Sequence, residues 1–302
     1  VQRELAWLLA DAGGRTTTCV GGTDMSREIR GLRDGAHVVV GTPGRLCDHL
    51  DRGTLLFEHL RAAVLDEADE MLDMGFREEL EKILDAAPKE RRTLLFSATI
   101  PPEIVRIATR YQQDALRVAA DRPGEQHADI EYRVHAIDPR EREHAVVNVL
   151  RLHDAAAAIV FVATRDGVNH LHASLVERGF DAVALSGELT QTERNRAVKA
   201  LRDGRARVLV CTDVAARGLD LPDVGLVIQA DPPHDGQVLQ HRSGRTGRAG
   251  RHGVAVLLAP RDKKSKVLRL LKEARVKADW TDPPSGDLVR KLDQEKLVSA
   301  VK

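Results

Sequence analysis

The chain has 302 residues, with 46 Lys or Arg against 46 Asp or Glu, so its formal net charge is zero. This length suits two domains of ordinary size. A net charge of zero excludes a long-range field that attracts polyanions, so phosphate binding must come from local arginine clusters. Aromatic residues make up 3% of the chain, which argues against binding nucleic acid by base stacking.

The cysteines and the hydropathy pattern indicate a cellular compartment. Cys19, Cys47 and Cys211 are odd in number and far apart, which is typical of reduced thiols in a cytosolic protein. No apolar run reaches the roughly 18 residues that a membrane span requires, and the first residues show no signal-peptide pattern. We therefore expect a cytoplasmic protein with no membrane association.

The first elements are short. A helix is predicted over residues 1–9 without a capping side chain, which indicates a chain that starts inside a domain. An apolar strand at residues 18–20 then meets Gly21 and Gly22, and a helix follows over residues 25–32. Paired glycines after a strand allow close approach of the backbone to a ligand, and a plain turn is an equally good interpretation.

A second apolar strand, at residues 37–41, ends in Thr42-Pro43-Gly44-Arg45. The Pro-Gly turn places Arg45 at the carboxyl end of the strand, where a guanidinium can bind a phosphate. An ordinary strand-to-helix turn is the alternative.

The most informative stretch is residues 62–69, where four apolar residues lead into Asp66, Glu67 and Asp69. This pattern predicts a buried parallel strand that ends in a carboxylate cluster, at the edge where open α/β sheets bind ligands. Asp66 is suited to hold Mg²⁺, and Glu67 to orient or deprotonate a water that attacks a phosphate. A solvated acidic turn is the alternative. A helix is predicted next, over residues 70–84.

Two hydroxyl side chains follow the next predicted strand, at residues 93–96. Ser97 and Thr99 stand there, separated by one alanine. They can cap the following helix, which Pro101 and Pro102 would open, or they can bridge acidic groups to another domain. Both uses remain open.

Residues 121–129 lack apolar periodicity and contain a Pro-Gly break, so we interpret them as a linker between domains at residues 1–120 and 130–262. Strands alternating with helices predict right-handed parallel βαβ units in each half. The last predicted strand is expected to close the second sheet. The second half has predicted strands at residues 159–162, 182–185, 208–211, 226–228 and 254–258, and helices at 168–178 and 190–201, the latter capped by Thr190.

Residues 261–277 carry eight Lys or Arg against Asp262 and Glu273. They predict a basic amphipathic helix, which is either a solvated surface helix or an added RNA contact. A tail at residues 281–302 packs as a short extension or is partly disordered, so residues 263–302 are assigned to a basic helix and C-terminal extension. The apolar stripe of the helix consists of Val267, Leu268, Leu270 and Leu271.

The most specific stretch of the second half is residues 241–248, His-Arg-Ser-Gly-Arg-Thr-Gly-Arg. Arg242, Arg245 and Arg248 would share a face of a helical segment and repel one another unless an anion lies opposite. A triphosphate meets that need, and arginines aimed at a transferring phosphoryl group contribute about 10³–10⁵ in rate. A solvated basic face or a grip on RNA backbone is the alternative.

The loop at residues 212–220 follows a predicted strand in the same half. It offers a hydroxyl, carboxylates, a guanidinium and a glycine. This mixture suits the binding of both sugar hydroxyls and phosphates.

In order and spacing, these motifs resemble those of the DEAD-box RNA helicases over about residues 1–262. The resemblance implies an α/β fold of two RecA-like domains, with parallel β-sheets flanked by helices, that close around ATP and RNA. It also implies RNA-stimulated, Mg²⁺-dependent ATP hydrolysis coupled to local unwinding or remodelling of RNA duplexes. The motifs that carry it are Asp66-Glu67-Ala68-Asp69, Ser97-Ala98-Thr99, the turn at residues 42–46, the loop at 212–220, the run at 241–248, Gly21-Gly22 and Gln191-x-x-Arg194.

The resemblance further implies roles for individual residues. Asp66 and Glu67 would serve Mg²⁺ and the attacking water. Arg245 and Arg248 would be arginine fingers. Asp220 would contact the ATP ribose, with Gly218 beside it. The residues that would couple the two domains are Asp69, Ser97, Thr99, His241 and Arg242. Those that would face RNA are Gly21, Gly22, Thr42, Pro43, Gly44, Arg45, Gln191, Arg194, Thr212, Asp213 and Arg217.

The sequence contains no GxxxxGK[ST] phosphate loop, and Gly13-Gly14-Arg15-Thr16 lacks both its spacing and its lysine. In the family this loop and an adenine-reading glutamine motif come before the motifs seen here. We therefore expect an amino-truncated core with an incomplete first domain, an open sheet edge and no ATPase activity of its own.

Two other functions remain open. A non-catalytic RNA-binding fragment would bind RNA weakly and in a salt-sensitive manner, without dependence on nucleotide. A DNA helicase of the same superfamily would not discriminate for the 2′-hydroxyl of RNA. We expect a monomer, with ribosome-assembly or RNA-decay proteins as candidate partners.

Overall fold

The computed structural model describes residues 1–119, 129–216, 219, 221–247 and 250–301. The chain forms two compact units, Val1–Ala119 (unit 1) and Ala120–Lys302 (unit 2). Of the predicted linker, residues 121–128 lie outside the described part of the chain.

Unit 1 alternates helices with short strands, which form two separate parallel pairs, one of the first two strands and one of the last two. The predicted α/β arrangement with parallel pairing is confirmed. The strands are β1 (Thr16–Cys19), β2 (Val38–Gly41), β3 (Ala62–Leu65) and β4 (Arg92–Leu95). The helices are α1 (Gln2–Leu8), α2 (Met25–Arg33), α3 (Pro43–Asp51), α4 (Ala68–Asp73), α5 (Arg77–Ala86) and α6 (Pro102–Tyr111).

β3 is less buried than the sequence predicts. Leu65 is its one buried residue, and it packs with Leu80 and Ile104 in the core of this region. Val64, on the opposite face, is 58% exposed. Within residues 1–119, all of which are described, β3 pairs with β4 alone, and its outer face is left uncovered.

The helix predicted over residues 70–84 is two helices. α4 ends at Asp73, and α5 begins at Arg77. Gly75 lies between them with φ +84°, a left-handed conformation that glycine adopts without steric cost. The sequence pattern missed the break because apolar residues at helical spacing continue on both sides of it.

Unit 2 is built on one parallel sheet of seven strands. The strands are β5 (Ile130–Ile137), β6 (Ala158–Phe161), β7 (Ala182–Leu185), β8 (Val208–Cys211), β9 (Leu226–Gln229), β10 (Gly253–Pro260) and β11 (Asp279–Thr281). Their order is β11-β5-β10-β9-β6-β8-β7. The helices are α7 (Arg142–His153), α8 (Arg165–Glu177), α9 (Gln191–Arg202), α10 (Asp213–Ala216), α11 (Gly236–Ser243), α12 (Lys264–Glu273) and α13 (Gly286–Val301).

The centre of this sheet is covered on both faces. β6, β8 and β9 are buried along their whole length, which is typical of a parallel sheet between two helix layers. Leu171 of α8 packs in the core on one face, and Val198 of α9 in the core on the other. α9 starts as predicted, with Thr190 and Glu193 forming a capping box.

The prediction that the strand at residues 254–258 closes the sheet is wrong. β10 lies between β5 and β9, and β11 forms the edge. Residues 263–302 thus contribute a strand and two helices to unit 2, and residues 286–301 are helical. A strand as short as β11 gives too few positions for a periodic signal.

α12 confirms the predicted amphipathic helix, with one correction. Val267, Leu270 and Leu271 are buried against Leu239. Leu268 is 48% exposed. Consecutive residues of a helix point about 100° apart, so Leu268 points away from the side on which Val267 is buried.

Candidate functional site

An acidic turn follows β3 in unit 1. Asp66 and Glu67 are exposed, and Glu67 has left-handed backbone angles of φ 52° and ψ 47°. This conformation is strained for a residue with a side chain, and such strain clusters at functional sites. The Glu67 N–H donates to Asp66 Oδ1 at 3.1 Å. An exposed carboxylate at a strand end fits the hard-oxygen ligand that Mg²⁺ prefers.

Asp69 ties this turn to the end of β4. It is 6% exposed, and its Oδ2 accepts from the Thr99 N–H at 2.9 Å and the Thr99 hydroxyl at 2.8 Å. The Asp69 N–H donates to Ser97 Oγ at 3.3 Å, and the Ser97 hydroxyl donates to Thr99 O at 2.6 Å. The alternative that these hydroxyls cap the next helix is wrong, because α6 has Pro101 as its N-cap and no side-chain cap.

The other carboxylate oxygen of Asp69, Oδ1, is not paired in the same way as Oδ2. Oδ1 is buried and has no hydrogen-bond partner among the described residues. A buried carboxylate oxygen without a donor is costly, so this atom marks a place where a further donor would be stabilised.

Two turns at the carboxyl ends of β1 and β2 lie side by side, because these strands are parallel neighbours. Gly21 and Gly22 are exposed, with Gly22 at φ +78°. Thr42 is exposed and is the N-cap of α3, with Pro43 at the start of the helix. Gly44, in the first turn, is half-buried.

Arg45 links the two turns. Its Nε donates to Val20 O at 3.2 Å and its Nη2 to Thr23 O at 3.0 Å. Nε also lies 3.4 Å from Glu28 Oε2, and 13% of the side chain is exposed. The guanidinium is therefore held against the glycine turn and not extended into solvent.

Arg242 is a buried part of unit 2. Its Nε and Nη2 each donate to Asp213 at 2.7 Å, and its Nη1 donates to Asp231 O at 2.9 Å. It also lies 5.2 Å from the centre of the Phe161 ring. The anion opposite this arginine is therefore Asp213.

The prediction that the three arginines share a helical face is wrong. α11 ends at Ser243, with Gly244 as its C-cap, so Arg245 lies beyond the helix. His241, in the last turn, and Arg245 are both half-buried. Arg248 lies outside the described residues.

The remaining predicted residues of unit 2 lie in the first turn of α9 and at the start of α10. Thr212 is buried, and its Oγ1 accepts from the Ala215 N–H at 3.3 Å at the start of α10. Arg194 donates to Leu189 O at 3.2 Å and Gly187 O at 3.0 Å. Gln191 donates to a residue one turn along α9, Asn195 Oδ1, at 3.2 Å. The predicted residues outside the described part of the chain are Arg217, Gly218, Asp220 and Arg248.

Two family models match the chain. The DEAD/DEAH box helicase model matches residues 1–107, and the helicase conserved C-terminal domain matches residues 141–250. A DEAD box protein from Methanococcus jannaschii is 35% identical, over 93% of this chain and 78% of its own, with a TM-score of 0.51. The chain belongs to the DEAD-box helicase family. This confirms the resemblance drawn from the motifs.

The chain is also similar to curated RNA helicases and to a solved RNA complex. The ATP-dependent RNA helicase CshA of Limosilactobacillus reuteri is 39% identical over 95% of this chain. The protein of the same name from Geobacillus kaustophilus is 38% identical over the whole of this chain. The chain spans 58% and 65% of the length of these two relatives. S. cerevisiae Dbp5, solved bound to RNA and ADP BeF3, is 26% identical over 97% of this chain and 78% of its own, with a TM-score of 0.82.

In the described ranges, no helix combines the length and the apolar composition that a membrane crossing demands.

In this DEAD-box chain, two further residues that the motifs did not predict, Glu28 and His49, are buried beside Arg45. A signal for Glu28 exists in the sequence. It stands at the i+3 position after Met25 in α2, followed at i+4 and i+7 by Ile29 and Leu32. A charged residue within such an apolar stripe is buried only when it is paired.

Proposed function

We propose that this chain forms the core of an ATP-dependent RNA helicase, in which RNA stimulates ATP hydrolysis and hydrolysis drives local unwinding or remodelling of duplexes. The observation that carries the proposal is the acidic turn, where a strained Glu67 and an exposed Asp66 follow β3. The names of the curated relatives support it.

The acidic turn supplies the chemistry at the phosphates. Asp66 would hold Mg²⁺, which when bound neutralises charge on the transferring phosphoryl group. Glu67 orients the attacking water and accepts its proton. Arg245 and Arg248 stabilise the negative charge that develops on the phosphoryl oxygens. Asp220 and Gly218 contact the nucleotide.

RNA is bound through its backbone, so recognition carries no sequence information. In unit 1 the exposed Gly21 and Gly22 offer backbone N–H groups to phosphates, and the exposed Thr42, which precedes Pro43 and Gly44, offers its hydroxyl. Arg45 adds a charge between them. The residues of unit 2 proposed for the same role are Gln191, Arg194, Thr212, Asp213 and Arg217.

Coupling between nucleotide and RNA requires a link from the acidic turn to the second domain. The domain assignment is residues 1–120 and 130–262 with an extension at 263–302. We assign the link to Asp69, Ser97 and Thr99 together with His241 and Arg242. The unpartnered Oδ1 of Asp69 supports this assignment, because it is placed to accept a donor. A cytoplasmic location, a monomeric state and partners in ribosome assembly or RNA decay belong to the same proposal.

Glu67→Gln tests the assignment. Because the sequence has no phosphate loop, ATP hydrolysis is measured with the chain alone and with the chain joined to an upstream phosphate-loop segment of a relative. We expect RNA-stimulated turnover from the joined protein and a loss of at least about 100-fold in Glu67→Gln, with RNA affinity unchanged. Glu78→Gln, an exposed acid on α5, is the matched control and should retain full turnover. Unchanged turnover in Glu67→Gln would refute the catalytic role of Glu67.

The same RNA-facing turns would also serve a second function, that of a non-catalytic RNA-binding module. The same experiment separates the two. RNA binding that responds neither to ATP nor to the joined segment, without turnover in either protein, would establish the binding module.

A further inference from the structure

Glu28 is a buried carboxylate at the centre of the RNA-facing turns of unit 1. It is 5% exposed and stands on the inner face of α2. Its two carboxylate oxygens contact three different parts of the chain, and these contacts hold the side chain in one position.

The first oxygen holds the glycine turn. Oε1 accepts from the Val20 N–H at 3.1 Å and from the Thr23 hydroxyl. Val20 precedes Gly21, and Thr23 follows Gly22. The carboxylate therefore bridges the two ends of the Gly21-Gly22 turn.

The second oxygen holds α3. His49 Nε2 lies 2.8 Å from Oε2, and because a carboxylate only accepts, Nε2 is the donor. Arg45 Nε lies 3.4 Å from the same oxygen. His49 is itself fixed from behind, with Nδ1 2.8 Å from Thr54 Oγ1.

Glu28 keeps its charge in this site. Burial alone would raise the pKa of its carboxyl, but the hydrogen bonds from Thr23, His49 and Val20, with the nearby charge of Arg45, together lower it. The carboxylate is therefore ionised at neutral pH and attracts the guanidinium.

We propose that Glu28 is a positioning residue for RNA binding, which sets the glycine turn and Arg45 side by side so that both meet the same stretch of phosphate backbone. This inference rests on the proposed RNA-binding function. Glu28 itself is buried and touches no RNA. It acts through Arg45 and through the Val20–Thr23 backbone.

A metal site is the other use of this cluster, since Cys19, Glu28 and His49 offer ligand atoms within 4.8 Å of one another. The surroundings oppose a cation. The Arg45 guanidinium already lies beside Glu28. Burial, followed by the charge of Glu28, raises the pKa of the Cys19 thiol to about 11, so the thiol is neutral. The positioning role accounts for every polar contact of Glu28 without a metal.

The test is a double-mutant cycle on the 302-residue chain. Binding of a fluorescein-labelled single-stranded oligouridylate is followed by anisotropy as a function of salt. We expect Glu28→Ala and Arg45→Ala each to weaken binding about tenfold and to lower the salt slope by roughly 0.7. Because Glu28 acts partly through Arg45 and partly through the glycine turn, the two losses should be less than additive in the double variant. Glu58→Ala, an exposed acid in the same unit, should bind as the wild type does.

Glu28→Gln is a second variant, included in case Glu28→Ala does not fold. It keeps the shape of the side chain, and it loses the charge that faces Arg45. We expect an intermediate loss of affinity, measured well below the melting temperature of each variant. Variants that melt earlier but bind with wild-type affinity would show a purely structural Glu28, and so would additive losses in the cycle. A wild-type chain that does not bind RNA would overturn the proposed function and this inference with it.

Discussion

At the scale of single residues, Arg242 shows how an arginine in a functional motif can be part of the fold. It is 4% exposed, and its donors are used by Asp213 and by the backbone of Asp231. The bidentate pair joins the start of α10 to α11 and so connects two motif segments of unit 2.

Replacing Arg242 by Ala should therefore destabilise unit 2. Removing one partner of a buried ion pair leaves Asp213 without its counter-charge, at a cost of about 3 kcal/mol. Urea denaturation in a Trp7→Phe background, where Trp280 is the sole tryptophan, measures the loss by fluorescence. Arg205→Ala, which breaks an exposed pair with Asp203, is the control and should change stability by less than about 1 kcal/mol. Equal losses in the two variants would contradict the structural role.

At the scale of elements, β11 fixes an unusual histidine. His135 of β5 is 3% exposed, and its Nδ1 lies 3.2 Å from Thr281 O. Its Nε2 is buried without a partner in the described part of unit 2. Burial lowers the pKa of His135, so the folded state holds the ring neutral.

This predicts a loss of stability on acidification. The unfolded chain takes up a proton near pH 6.5, whereas folded His135 does so at lower pH, so stability is present above about pH 6.5 and falls as pH drops toward the folded pKa. One such group contributes up to about 1.4 kcal/mol per pH unit. Urea midpoints between about pH 7 and pH 5.5 should fall less steeply in His135→Gln than in wild type. The exposed His144→Gln should leave the slope unchanged, and a wild-type slope in His135→Gln would refute the assignment.

α12 carries four Lys or Arg against one Glu. Arg269 pairs with Glu273 at 3.4 Å, and Lys264 lies 5.4 Å from the centre of the Trp280 ring. Lys266 and Lys272 are exposed, and neither has a carboxylate partner among the described residues. This surface is free to meet phosphates.

Reversing the charges of Lys266 and Lys272 tests whether α12 contacts RNA or is only a solvated surface helix. We expect Lys266→Glu with Lys272→Glu to weaken RNA binding and to lower the salt slope by more than 1. The same reversal at the exposed Lys89 and Lys291 is the control. Unchanged affinity would assign α12 to the solvated surface.

Some elements could be predicted from the sequence and others could not. Continuous apolar runs such as β8 and a strong cap such as Thr190 were predictable, because their signal is local. The acidic turn was recognisable from residue types, but the exposure of Val64 depends on which strands stand beside β3. The partners of Glu28 and Arg242 come from distant parts of the chain, and spacing along the sequence carries no information on them.

At the scale of the whole molecule, the two units differ in the size of the hydrophobic clusters that their described residues form. The cluster around Leu65 in unit 1 has 6 buried residues, and the largest cluster of unit 2 has 19. Because buried apolar area is the main stabilising term, unit 1 is expected to unfold first.

Urea unfolding of Trp7→Phe tests this order, since Trp280 in unit 2 is then the sole tryptophan. Circular dichroism should show an early transition that Trp280 fluorescence does not report. Coincident curves from the two probes would mean that the chain unfolds as one cooperative body.

The position of β11 has a consequence for synthesis. β5 is the first strand of unit 2 to leave the ribosome, and its outer edge pairs with Asp279–Thr281, 146 residues later at the contact between His135 and Thr281. Until then the nascent chain presents an unpaired edge, which can template pairing with a neighbouring nascent chain. On a crowded polysome, the yield of folded protein will therefore depend on how quickly translation delivers those three residues.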